Sequence, residues 1–184
     1  MSTGWLTDER AELAAGRILD VAEELFLARG VSSVTMRHLA SAVGCSRATL
    51  YRYFPGKQEL HAAYVDRAAT RVAESIAEQI REIGGPADRL TAAITTALTG
   101  VRADPALLAW FTPDAAGTST RLALLSPAIE SIAGSFLQDL GVTDAERALR
   151  AQWLVRVIVS LLTDPDPDNE EALLRRFVLP VVLT

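Results

Sequence analysis

Two complete sets of helix start and stop signals lie within the twenty residues from Thr35 to Phe54, and this spacing restricts the fold more than any other feature of the chain. Thr35 stands as N-cap to a helix in which Met36, Leu39, Ala40 and Val43 recur at three-four spacing. Gly44 stops that helix, Cys45 occupies the turn, and Ser46 caps a further helix that ends near Phe54. Two short helices joined by a Gly-containing turn form a helix-turn-helix unit. Ahead of them, a first helix from about Asp8 to Arg29 carries Ile18, Val21, Ala22, Leu25 and Phe26 on one stripe and stops at Gly30. Pro55 and Gly56 break the chain, and Lys57 opens a fourth helix.

The third helix can be read face by face. At about 100° per residue, Leu50 and Phe54 point the same way and form its buried side. Ala48, Thr49 and Arg52 then face outward, with Tyr51 and Tyr53 about 80° to either side of the buried direction. A helix lying in the major groove of double-stranded DNA has base edges in front and a phosphate strand on each flank. Arg47, Thr49 and Arg52 suit base readout there, and the two tyrosines suit phosphate contact. Ala48 permits close approach and offers a methyl to thymine. Thr35 and Ser46, at the two helix starts, complete the contact set, and Thr35 is read as a phosphate contact. Arg37 is placed to reach a base edge or a phosphate. Lys57 adds its charge to the free N–H groups of a helix N-terminus, which already favour an anion.

Charge distribution agrees with this placement better than total charge does. The chain carries 18 basic and 23 acidic residues, a net charge of -5. Between Thr35 and Gln58, however, stand Arg37, Arg47, Arg52 and Lys57 with no acidic residue at all. A local positive window in an acidic protein is what phosphate contact requires. Cys45 is the one cysteine, so no intramolecular disulfide forms and a reducing cytosol fits. The N-terminus has no basic and apolar leader pattern, and charges such as Arg156 interrupt the longest apolar runs. A cytoplasmic protein without a membrane span is expected. Catalysis is not: His38 and His61 are the only histidines, and no phosphate-binding glycine loop or nucleophile elbow occurs. No metal or cofactor is expected either.

The string GVSSVTMRHLASAVGCSRATLYRYFPGKQEL resembles the DNA-binding head of the tetracycline-repressor-like (TetR) family. Thr35, Leu39-Ala40, Gly44, Ser46, Leu50-Tyr51, Tyr53-Phe54 and Lys57 carry the resemblance, which covers about the first 65 residues. It implies an all-helical homodimer with one head per subunit and a C-terminal domain for effector binding and dimerisation. It also favours repression, with release from a palindromic operator by a small-molecule effector. A ligand-independent structural DNA-binding protein is the alternative.

The rest of the chain reads as helical too, giving an all-α protein of about nine helices, with a head over residues 1–60 and a body over 61–184. The fourth helix runs from Lys57 to about Ile83, and Gly84-Gly85-Pro86 marks its end. A helix from Pro86 to Arg102 places Leu90, Ile94, Leu98 and Val101 on one face. Pro105 starts a short helix ending near Trp110-Phe111, Thr112 to Ser119 reads as a loop, and a helix irregular at Pro127 follows to about Leu140. The segment from Asp144 to Thr163 is apolar nearly all round, so it must be buried on more than one side. With the last helix, about Asp168 to Val182, it is expected to form a four-helix dimer interface. Trp153, Arg156, Val157, Leu161, Leu174, Phe177, Val178 and Val181 are the candidate contacts, Arg156 in a cross-interface ion pair. Tyr64, Trp110, Phe111, Phe136 and Trp153 are candidates for the effector pocket, whose few charges favour an apolar or weakly polar ligand. The run DPDPDN, Asp164 to Asn169, is not a calcium loop, because Asn169 and Arg175 stand where glycine and glutamate are needed.

Overall fold

The computed structural model describes the backbone from Gly4 to Leu183 and the side chains from Glu9 to Leu183, Asp144 excepted. The first three residues of the N-terminus, read above as lacking a leader, lie outside the described residues. Every regular element among the described residues is helical. The chain forms two compact units, one ending at Tyr64 and the other beginning at Val65.

The head contains α1 (Gly4–Arg29), α2 (Met36–Val43), α3 (Arg47–Tyr53) and the start of α4 (Lys57–Gln79). Its buried side chains include Ile18, Ala22 and Phe26 of α1, Leu39 and Ala40 of α2, Leu50 of α3, and Leu60 and Tyr64 of α4. Phe26 meets two α4 rings edge-on, His61 at 5.4 Å and 80° and Tyr64 at 5.3 Å and 83° between ring planes. This arrangement sets the ring edge of one aromatic against the electron-rich face of another. The first two turns of α4 thus lie within the compact unit that ends at Tyr64 and complete its core.

The body contains the rest of α4 with α5 (Pro86–Ala103), α6 (Pro105–Leu108), α7 (Ala116–Leu125), α8 (Pro127–Asp139), α9 (Asp144–Thr163) and a final helix, α10. A 3-10 turn, Ala109–Phe111, extends α6. Leu90, Ile94 and Leu98 of α5 join Leu154, Leu161 and Leu162 of α9 and Leu174, Val178 and Val182 of α10 in one buried cluster. Arg102 ties the same three helices by charge, its Nη2 lying 2.7 Å from Glu170 Oε2 and 3.0 Å from the Leu161 carbonyl oxygen. Glu170 is buried, and such a carboxylate is tolerated because it is paired and hydrogen-bonded.

Three differences from the sequence expectation have local causes. Helix α7 begins at Ala116, inside the expected loop, despite the weak helix formers that follow. The Ser119 hydroxyl donates to the carbonyls of Trp110 and Ala115, and Thr120 donates to that of Ala116, so the hydroxyls join the turn instead of breaking it. The one helix expected through Pro127 is two, which raises the helix number among the described residues from about nine to ten. Ser126 separates them as N-cap of α8, accepting from the Ile129 N–H at 3.0 Å and donating to Asp66 Oδ1 at 2.5 Å. Finally, α10 opens as Glu170–Leu173, widens into a π-helical turn at Leu174–Val178, and closes on Leu179–Leu183. Leu174, Val178 and Val182 recur every four residues, about 90° per residue, which would drift around an ideal helix. The wider turn takes up that drift and keeps all three buried.

Candidate nucleic-acid interface

The caps that the sequence marks are formed. Thr35 Oγ1 accepts the His38 N–H at 3.2 Å at the start of α2, and Ser46 Oγ accepts the Thr49 N–H at 3.1 Å at the start of α3. Between them Gly44 adopts φ 74°, a left-handed conformation in which a side chain would be strained. That conformation lets the Cys45 N–H reach the Ala40 carbonyl at 3.1 Å and the Gly44 N–H reach that of Ser41 at 3.3 Å, closing the C-terminus of α2. Cys45 thus serves the turn through its backbone, and its thiol is free.

With the turn set, α3 packs Leu50 inward, and Phe54, at its C-terminus, is buried beside it. Arg47, Ala48, Tyr51 and Arg52 are exposed, and Thr49 and Tyr53 are half-buried. The Arg52 guanidinium carbon lies 5.4 Å from the centre of the Tyr53 ring, a cation–π distance. Thr49 Oγ1 lies 2.9 Å from Ser46 Oγ. Thr35 and Arg37 are exposed at the start of α2. The structure therefore brings Thr35, Arg37, Ser46, Arg47, Ala48, Tyr51 and Arg52 to the surface of one small unit.

Lys57 has a partner that the sequence did not reveal. Its Nζ donates to the Ser32 carbonyl at 2.8 Å, holding the α1–α2 loop against the start of α4. Burial lowers its pKa from the ordinary lysine value. An ammonium has three N–H bonds, so this contact leaves donors for an anion. Lys57→Met should accordingly produce two effects: about 1 kcal/mol less head stability in urea titrations, and a salt slope of DNA binding shallower by about 0.9 per protomer.

His61, one turn further along α4, is buried against Phe26. Its pKa is lowered to about 4, first by burial and then by the charge of Lys57. At neutral pH the ring is neutral in both folded and unfolded chains. Below the ordinary histidine value the unfolded chain binds a proton that the folded head refuses until about pH 4. Stability contributed by this group therefore falls across that interval as pH drops, by about 1.4 kcal/mol per pH unit. Urea titrations at pH 7 and pH 5 should differ by about 2 kcal/mol more in the wild type than in His61→Gln.

The body residues singled out from sequence are less uniformly placed. Tyr64 lies in the head core against Phe26, Trp110 is buried, and Phe111, Phe136 and Trp153 are half-buried against the body core. The body also has an open groove of about 420 Å³ between α5 and the start of α10, and none of those five residues lines it. Its lining is polar instead, including Asp88, Thr91, Thr95, Glu170 and Glu171. Of the candidate dimer contacts, Leu161, Leu174 and Val178 are buried in the protomer's own core, and Trp153 and Val157 pack partly on it. Arg156 is exposed, with Nη1 3.2 Å from the Gln152 carbonyl oxygen. Phe177 and Val181 are 63% and 52% exposed, and so is Leu149, at 71%, which the sequence reading passed over. Its signal was present: Leu149, Trp153, Arg156 and Ser160 fall on one face of α9 at steps of four, three and four.

Comparison with known proteins agrees with the head geometry. The model for bacterial regulatory proteins of the tetR family matches residues 18–64. The chain is 45% identical to Rv1255c, an uncharacterised HTH-type transcriptional regulator of Mycobacterium tuberculosis, over 98% of this chain and 91% of that one. It is 29% identical to the HTH-type transcriptional regulator AlkX of the same organism, over 89% and 82% of the two chains. Among solved structures, the TetR family repressor AlkX from Dietzia matches with a TM-score of 0.67 and 28% identity, over 90% of this chain and 92% of that one. The chain belongs to the tetR family of bacterial regulatory proteins and is a helix-turn-helix transcription regulator. Among the described residues, no helix is long and apolar enough to cross a membrane.

Proposed function

We propose that this regulator is a cytoplasmic homodimeric repressor that binds a palindromic operator and leaves it when a small apolar molecule occupies the body. One observation carries the DNA side: α3 buries Leu50 while exposing Arg47, Ala48, Tyr51 and Arg52, in a stretch with no acidic residue. Arg47 and Arg52 read base edges, Tyr51, Tyr53, Thr35 and Lys57 hold phosphates, and Arg37 reaches in from α2. Dimerisation is supported by the exposed apolar residues on the last two helices, Leu149, Phe177 and Val181, which a lone protomer leaves in water. Two-fold symmetry then presents two copies of α3 to two half-sites.

For the effector, the half-buried aromatics Phe111, Phe136 and Trp153, with Trp110, form the proposed apolar lining. The related repressor from Dietzia is implicated in biodegradation of n-alkanes, which supports an apolar ligand here. Selection from a random duplex library tests the proposal, followed by displacement with a panel of alkyl and aromatic compounds. A two-fold symmetric consensus released by an apolar compound is the expected result. A protein that retains no sequence in preference to others is not a specific regulator of this kind. A consensus that no compound displaces would favour the ligand-independent alternative.

A further inference from the structure

The hydroxyl of Thr49 is turned back along its own helix. Its Oγ1 lies 2.9 Å from Ser46 Oγ, the atom that also accepts the Thr49 backbone N–H at 3.1 Å. The contact joins two side-chain oxygens and so ties the third helical residue to the side chain of the cap residue. With one of its hydrogen-bonding directions taken by Ser46, this hydroxyl meets a base only along the directions that remain. Beyond the hydroxyl, the side chain offers only a methyl group.

That methyl has a neighbour. By helical rotation Thr49 and Ala48 lie about 120° and 140° to opposite sides of the mean direction of Leu50 and Phe54, so the two flank the outward direction, where Arg52 stands. Ala48 is exposed and Thr49 is half-buried. The outer face around Arg52 thus holds two small apolar groups beside a charged one. On the base edges of the major groove, the C5-methyl of thymine is the apolar feature that distinguishes one base from the others.

We infer that Thr49 contributes to operator choice through its methyl group, packed with that of Ala48 against the C5-methyl of one thymine per half-site, while its hydroxyl serves the helix cap. This rests on the docking of α3 in the major groove proposed above. It gives the base readout expected of Thr49 a specific form, and it separates its role from that of the two arginines.

The test pairs a methyl on the protein with a methyl on the DNA. Full-length wild type, Thr49→Val and Thr49→Ser are compared by competition on the selected duplex, with each thymine of one half-site replaced in turn by deoxyuridine. Valine keeps the methyl and loses the hydroxyl, whereas serine does the reverse. At one position deoxyuridine should weaken wild type about four-fold, the effect of one buried methyl. Thr49→Val should keep that discrimination. Thr49→Ser should bind the thymine duplex about four-fold less tightly than wild type and respond no further to deoxyuridine. Circular-dichroism melting of each variant confirms that the head is folded. The inference is overturned if serine keeps the discrimination and valine loses it, or if no thymine methyl couples to residue 49. Failure of the docking proposal itself looks different, because wild type would then select no duplex before any variant was compared.

Discussion

Phe26→Ala should abolish the folded head at physiological temperature while leaving the body helical. Phe26 is fully buried and meets both His61 and Tyr64 edge-on, so it is the contact through which α1 holds the first two turns of α4. Truncation of a buried phenylalanine costs about 3–5 kcal/mol, from lost transfer energy and the cavity left behind. That is a large share of the stability of a unit this small. A loss of that size corresponds to a fall in melting temperature of about 15 °C or more. Phe26→Leu, which refills most of the space, should cost far less. Circular-dichroism melting and operator binding, measured together, check this. If Phe26→Ala lay within about 1 kcal/mol of wild type, the aromatic trio could not be the anchor of the head.

Phe177→Asp should act in the opposite manner, sparing the protomer and dissociating the proposed dimer. The side chain is 63% exposed, so the fold of a single chain depends little on it. In a two-fold interface each substitution appears twice, and the new carboxylates would be buried without partners. Sedimentation should show a monomer at micromolar concentration. Affinity for the full operator should fall about 100-fold or more, because the second head no longer binds as a tethered partner, while weak half-site binding persists. A Phe177→Asp protein that stayed dimeric would exclude α10 as the dimer face.

The contrast between these two residues also explains which parts of the protein could be read from sequence. Thr35, Gly44 and Ser46 act through their own backbone neighbourhood, so the bounds of α2 and α3 were legible residue by residue. Leu50 and Phe54 were legible as the inner side because a short helix has one periodicity to satisfy. Helix α7 was not, since Gly117, Thr118 and Ser119 are weak helix formers held by a hydroxyl contact to Trp110, nine residues earlier in the chain. Apolar residues crowd every side of α9 and α10, so periodicity could not say that Leu161, Leu174 and Val178 turn inward while Leu149, Phe177 and Val181 turn out. That division depends on the π-helical turn and on packing register. Lys57 stood out by type and position, but its contact with Ser32 joins residues 25 apart and left no pattern in the sequence.

Methylation interference on the selected duplex addresses the central proposal most directly, because guanine N7 lies in the major groove. Two symmetry-related groups of interfering guanines are expected, with centres about 10 base pairs apart or at a whole multiple of that distance. With Phe177→Asp both groups should weaken equally, because a monomer can take either half-site of the symmetric duplex. A single group with wild type, or interference confined to the minor-groove N3 of adenine, would contradict a dimer that docks two copies of α3 in the major groove.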